Sequence, residues 1–188
     1  MTGRSALAAV CQFTSLEGAV AAVLAALQSN LKIARIELLD EVQMRPAIRY
    51  SKLDYVETPT LFLEFHGTPA GVQEEVEMMQ AITADHGGGE FHFVERPEDR
   101  NRLWKARHNS YQAVMALSPG KNNMGTDACV PISALPACLL EIKADIAASG
   151  LTLAFRTARR TIAMGGTCSG EHGHFRHSRE TGRTFTCR

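Results

Sequence analysis

Leu61, Leu63 and Phe65 alternate with Phe62 and Glu64, a period of two that marks the clearest β-strand in the chain. His66-Gly67 ends that strand, and Thr68-Pro69 opens the next element at once, a threonine N-cap followed by proline at the first helical position. Val72, Val76, Met79 and Ile82 then recur at helical spacing until Gly87-Gly88-Gly89 stops the helix. Phe91 and Phe93 start another short strand. A strand, a helix and a second strand so closely joined commit the chain to a sheet with helices laid on it.

The same pattern precedes it. Cys11 to Phe13 reads as a short strand, and Thr14-x-x-Glu17 has the form of a capping box opening a helix. Leu16, Val20, Val23, Leu24 and Leu27 form its apolar face through an alanine-rich run to Asn30. Ile33 to Leu39 is β-like, with Ile36 and Leu38 as buried candidates. Asp40 begins a helical segment that Pro46 is expected to bend or interrupt, and Ser51 to Thr60 reads as a loop. Farther on, Pro97 opens a charged segment carrying Leu103, Trp104, Ala106, Tyr111, Val114 and Leu117, and Ser118 to Asn123 is turn-rich. A strand over Ala128-Cys129-Val130 is stopped by Pro131, and a helix over Ser133 to Ser149 uses Leu139, Ile142 and Ile146 before Gly150. The predicted class is α+β, an antiparallel sheet with helices packed on one face, ferredoxin-like in its strand and helix order.

The 188 residues are the size of one domain, and 45% apolar content is enough for a core. Formal charge is zero with a pI near 7.0, and no basic stripe interleaves with aromatics, so neither nucleic acid nor an anionic membrane surface is expected as a partner. The longest apolar stretch, Ala19 to Leu27, is too short to span a bilayer. Cys11, Cys129, Cys138, Cys168 and Cys187 are odd in number and form no C-x-x-C pair, which fits a reducing compartment. Met1 to Val10 has the features of neither a secretory signal nor a transit peptide.

The densest chemistry lies in Gly165-Gly166-Thr167-Cys168-Ser169-Gly170-Glu171-His172-Gly173. Its glycines permit tight turns and close approach to a ligand, and Glu171 and His172 can supply a metal ligand or a general base. A plain polar loop would have the same composition. Cys168, His172, His174 and His177 could bind zinc, but their spacing fits no common zinc module. Arg107, read by itself, is a helical arginine paired with a nearby acid.

Four stretches occur in the order found in the FAD-linked D-lactate dehydrogenases: Phe62-Leu63-Glu64-Phe65-His66-Gly67, Arg102-Leu103-Trp104-Lys105-Ala106-Arg107-His108-Asn109, Thr126-Asp127-Ala128-Cys129-Val130-Pro131-Ile132-Ser133, and Gly166 to Gly173. Ala34 to Val42 and Arg49-Tyr50-Ser51-Lys52-Leu53 add to a resemblance that runs from about Val10 to Gly173. Within the wider group of FAD-linked 2-hydroxy-acid oxidases and dehydrogenases, this resemblance covers the C-terminal substrate or cap domain, residues 1–173, with 174–188 as a divergent and disordered tail. FAD is then bound mainly by a domain that this chain lacks.

The resemblance implies a D-2-hydroxy acid as substrate, with cytochrome c as electron acceptor and a mitochondrial location. It assigns Arg107 to the substrate carboxylate, His172 to the hydroxyl proton and Glu171 to a divalent metal such as Zn or Mn. Two further metal histidines belong to a Gly-His-Val-Gly-Asp-Gly-Asn-x-His type motif that is missing. Leu151-Thr152 runs directly into Leu153 and the segment to Met164, as if one strand and its histidines had been skipped, so the chain alone is expected to be inactive and to hold no metal. Two alternatives stay open: a noncatalytic interaction module, and a relative acting on 2-hydroxyglutarate or glycolate.

Overall fold

The computed structural model describes residues 5–117, 127–149 and 167–169. The chain divides into two units, 1–121 and 122–188, and each is described by itself. In the first, the order is β1 (Ser5–Gln12), α1 (Leu16–Gln28), β2 (Ile33–Leu39), α2 (Glu41–Ser51), β3 (Thr60–Gly67), α3 (Pro69–Asp85), β4 (His92–Val94), α4 (Pro97–His108) and α5 (Ser110–Leu117). The strands form one sheet in the order β2-β3-β1-β4 with every neighbouring pair antiparallel. β1 pairs with β3 along its whole length, from Ser5 opposite Gly67 to Gln12 opposite Thr60, whereas β4 covers only Ala8 to Val10.

Strand order and the two βαβ connections agree with the ferredoxin-like α+β class. The expectation of helices on one face needs correction, because both faces are covered. Ala9, Cys11, Phe13, Leu61, Leu63 and Phe65 pack with α1 and α3. Ala8, Val10 and Phe62 pack on the other side with Met44 and Ala47 of α2 and Leu103 and Trp104 of α4. The second layer exists because α2 is inserted between β2 and β3. Phe62 was the sign of it, since a strand buried on both faces loses strict alternation.

Local chemistry moves several boundaries. β1 starts at Ser5, well before Cys11; its small Ala-rich residues carry little strand propensity but suit a central position under two helical layers. The cap of α1 is Ser15, which accepts from Gly18 N at 3.1 Å, rather than Thr14. Ala19, Ala22 and Ala26 provide its buried face with Leu16 and Val20, while Leu27 is 45% exposed. Small residues are needed there because α1 passes close to the end of α3. A Cβ on Gly18 would stand 2.2 Å from the His86 carbonyl oxygen. α2 runs unbroken through Pro46, so the expected interruption does not occur. The proline loses one main-chain hydrogen bond, and burial of Met44, Pro46 and Ala47 on the sheet offsets that loss. α3 has the predicted Thr68 cap and Val72, Val76 and Met79 stripe, and Gly87 follows at φ +79°.

In the second unit, β5 (Asp127–Cys129) and β6 (Thr167–Ser169) pair antiparallel. A 3-10 turn over Ile132–Ala134 follows Pro131 and delays α6 to Leu135–Ser149. The predicted loop 118–123 and tail 174–188 lie outside the described residues.

Candidate functional site

Arg107 sits in the last turn of α4, beside the face through which Leu103, Trp104 and Ala106 are buried. Its Nε lies 2.5 Å from Glu37 Oε2 on β2, with each side chain 30% exposed. Nε makes no well-directed hydrogen bond, so charge attraction is what holds this contact. Arg107 Nη1 also donates to Ser110 Oγ at 3.0 Å, and the Ser110 hydroxyl in turn donates to the Arg107 carbonyl oxygen. The helix break at Asn109 brings Ser110 back over the last turn of α4. The guanidinium is therefore held from two sides in a half-buried position.

The same face carries a second charged group that sequence reasoning missed. Strand alternation places Glu64 on the Phe62 side of β3, where it is only 8% exposed. His66 Nε2 lies 2.8 Å from it, Arg100 Nε 3.8 Å and Arg35 Nη1 4.0 Å. Arg35 stacks 4.3 Å from the centre of the Trp104 ring, and Arg100 Nη1 donates to the Ala6 carbonyl at 2.9 Å. That last bond caps β1 where β4 has already ended. A detectable signal existed, because Glu64 is the one acid within an otherwise apolar strand, and Arg35 and Glu37 repeat at a spacing of two on its neighbour.

A shallow cleft of about 330 Å³ opens between the α2–β3 loop, β4 and α4. Tyr55 and His92 meet edge to face across it at 5.9 Å, with Lys52 and Arg102 on its rim. Burial, then the neighbouring Asp54 charge, pushes the Tyr55 phenol above its ordinary value. Cys11 behaves as a core residue, its thiol pushed up to about 11 by burial while Sγ donates to the Gly89 carbonyl at 3.4 Å.

In the second unit, Asp127 stands opposite Ser169, Ala128 opposite Cys168 and Cys129 opposite Thr167. Two of the sequence motifs thus contribute adjacent strands, and Thr167–Ser169 of the glycine-rich stretch is one of them. Glu171 and His172 follow Ser169 by two and three residues and lie outside the described residues, as do His174 and His177. Among the described residues no three His, Cys, Asp or Glu side chains converge as a metal set. No described helix is long and apolar enough to cross a membrane.

The profile of the family described as FAD linked oxidases, C-terminal domain, matches residues 3–159 and 151–186. The chain belongs to this family. It is 41% identical over 200 residues to the probable mitochondrial D-lactate dehydrogenase of Danio rerio, covering 90% of this chain and 40% of that one. The mitochondrial D-lactate dehydrogenase [cytochrome] of Arabidopsis thaliana is 34% identical over 196 residues, covering 88% and 35%. The chain thus spans about two fifths of the length of the relatives it matches. Among solved structures, 4-ethylphenol oxidase from Gulosibacter chungangensis aligns with a TM-score of 0.53 at 14% identity, over 76% of this chain and 34% of that one, a likeness of fold alone.

The family profile fits in two pieces that overlap at 151–159, around the Thr152–Leu153 junction. An alignment of 200 positions that uses 90% of a 188-residue chain also leaves roughly 30 positions with no residue from this chain.

Proposed function

We propose that this chain is the substrate-side portion of a mitochondrial FAD-dependent D-lactate dehydrogenase of the cytochrome type, whose full reaction converts D-lactate to pyruvate. The 41% identity to the Danio rerio protein across nearly the whole chain carries this reading. Arg107 holds the substrate carboxylate: it is permanently charged, planar and prepositioned by Glu37 and Ser110, so little freedom is lost when an anion arrives. His172 accepts the hydroxyl proton, the kind of proton transfer for which imidazole side chains are commonly used. Glu171 contributes one ligand to a divalent metal.

Helices cover both faces of the four-stranded sheet, and among the described residues no three His, Cys, Asp or Glu side chains form a metal set. FAD, when bound by further polypeptide, supplies the hydride acceptor, and cytochrome c takes the electrons onward. Purified chain incubated with FAD, D-lactate and a dye acceptor is expected to reduce no dye above the protein-free control. Sustained turnover would refute the reading of this chain as an incomplete reaction chamber.

A further inference from the structure

β4 is the last strand of the four-stranded sheet, and among the described residues nothing pairs with its outer edge. Such an edge presents unpaired main-chain N–H and C=O groups, and exposed edges are usually blunted by charge, proline or a covering element. Here Phe93, at the centre of the strand, is 44% exposed. A hollow of about 380 Å³ lies beside it, lined by Phe93, Val94, Glu95, Arg96 and Asp99.

The sequence along this edge, Glu90-Phe91-His92-Phe93-Val94-Glu95-Arg96, is complementary to itself when reversed. With Phe93 opposite the partner's Phe93 in an antiparallel register, His92 faces the partner's Val94 and Glu90 faces the partner's Arg96. The twofold axis repeats both contacts. Glu90 and Arg96 are exposed, and neither has an ion-pair partner among the described residues. β4 itself ends at Val94, and Arg96, the N-cap of α4, has an extended backbone at φ −72° and ψ 133° that lets the pairing register be continued to it. Opposite residues of an antiparallel pair share a face, which sets the two charge pairs beside the His92–Val94 contacts and the two phenylalanine rings together on the other face.

We propose that this edge is a homodimerisation surface, on which a second copy of this chain adds its own β4 to make one continuous eight-stranded sheet. The contact is small for a stable complex, so association is concentration-dependent. This inference is independent of the enzymatic reading. Sedimentation of the wild-type chain over a rising concentration series is expected to move from the 20.5 kDa monomer toward twice that mass. E90R alone and R96E alone each place like charges opposite one another twice, and each is expected to weaken self-association on the order of tenfold or more. An equimolar mixture of E90R and R96E restores opposite charges at both positions and is expected to recover the dimer. A wild-type chain that stays monomeric at its highest soluble concentration would overturn the proposal. So would single reversals that associate as well as the wild type, or a mixture that does no better than its components.

Discussion

On the α1 and α3 side of the sheet the contacts are apolar throughout, with Leu61, Leu63 and Phe65 meeting Val72, Val76 and Met79. On the α2 and α4 side the apolar cluster around Phe62 and Trp104 gives way to Glu64, Arg35, Arg100, Glu37 and Arg107. One sheet therefore presents a face built for cohesion and a face where charges are held at fixed positions. Desolvating ions is costly, so each charge there has a partner, and Glu64, the most deeply buried, has three. The difference separates what should move stability from what should move chemistry.

The sharpest contrast comes from deletion on the cohesive face. Phe65→Ala removes a fully buried ring and is expected to cost about 4 kcal/mol in urea unfolding of the first unit. Gly18→Ala should cost about 2–3 kcal/mol, because its Cβ meets a main-chain oxygen that cannot rotate away. On the charged face Glu64→Ala is expected to cost only about 1–2 kcal/mol, since two of its partners, Arg35 and His66, are about half exposed and can recover water. A loss on Glu64→Ala equal to that of Phe65→Ala would erase the distinction. Arg107→Met should cost the least, about 0.5–1 kcal/mol, because its ion pair is partly solvated.

The cohesive face also has an alkaline limit. Cys11 is a thiol whose folded pKa, about 11, lies above its ordinary 9.0, so the folded state holds the proton more tightly. Its contribution is intact below about pH 9 and is lost as pH rises through about 11. Cys11→Ala should remove that part of the decline in a pH series of melting temperatures, and an unchanged decline would place its cause elsewhere.

What the sequence showed best were elements fixed by local rules. Ile33–Leu39 follows from composition, and the Thr68-Pro69 start of α3 from capping chemistry. Tertiary packing decided the rest. The alanine face of α1, the unbroken helix through Pro46 and the early start of β1 are stabilised by neighbours that no local window contains. For the candidate site, the family motifs singled out Arg107, whereas its partner Glu37 lies on β2, distant in sequence, and becomes visible only once the sheet is formed. Glu171 and His172 were legible as chemistry but not as geometry, since they lie outside the described residues.

The proposed function holds that this chain carries the substrate side of a D-lactate dehydrogenase and that an internal segment needed for the reaction is missing from it. The most direct test replaces the matching C-terminal portion of the Danio rerio protein with this chain, once as it stands and once with that protein's own segment inserted between Thr152 and Leu153. D-lactate-dependent dye reduction is measured for both, alongside the amount of flavin retained. The account predicts turnover from the restored form alone, and its loss by at least about a hundredfold on Arg107→Met. Equal turnover from the unrestored form, or undiminished turnover after Arg107→Met, would contradict it.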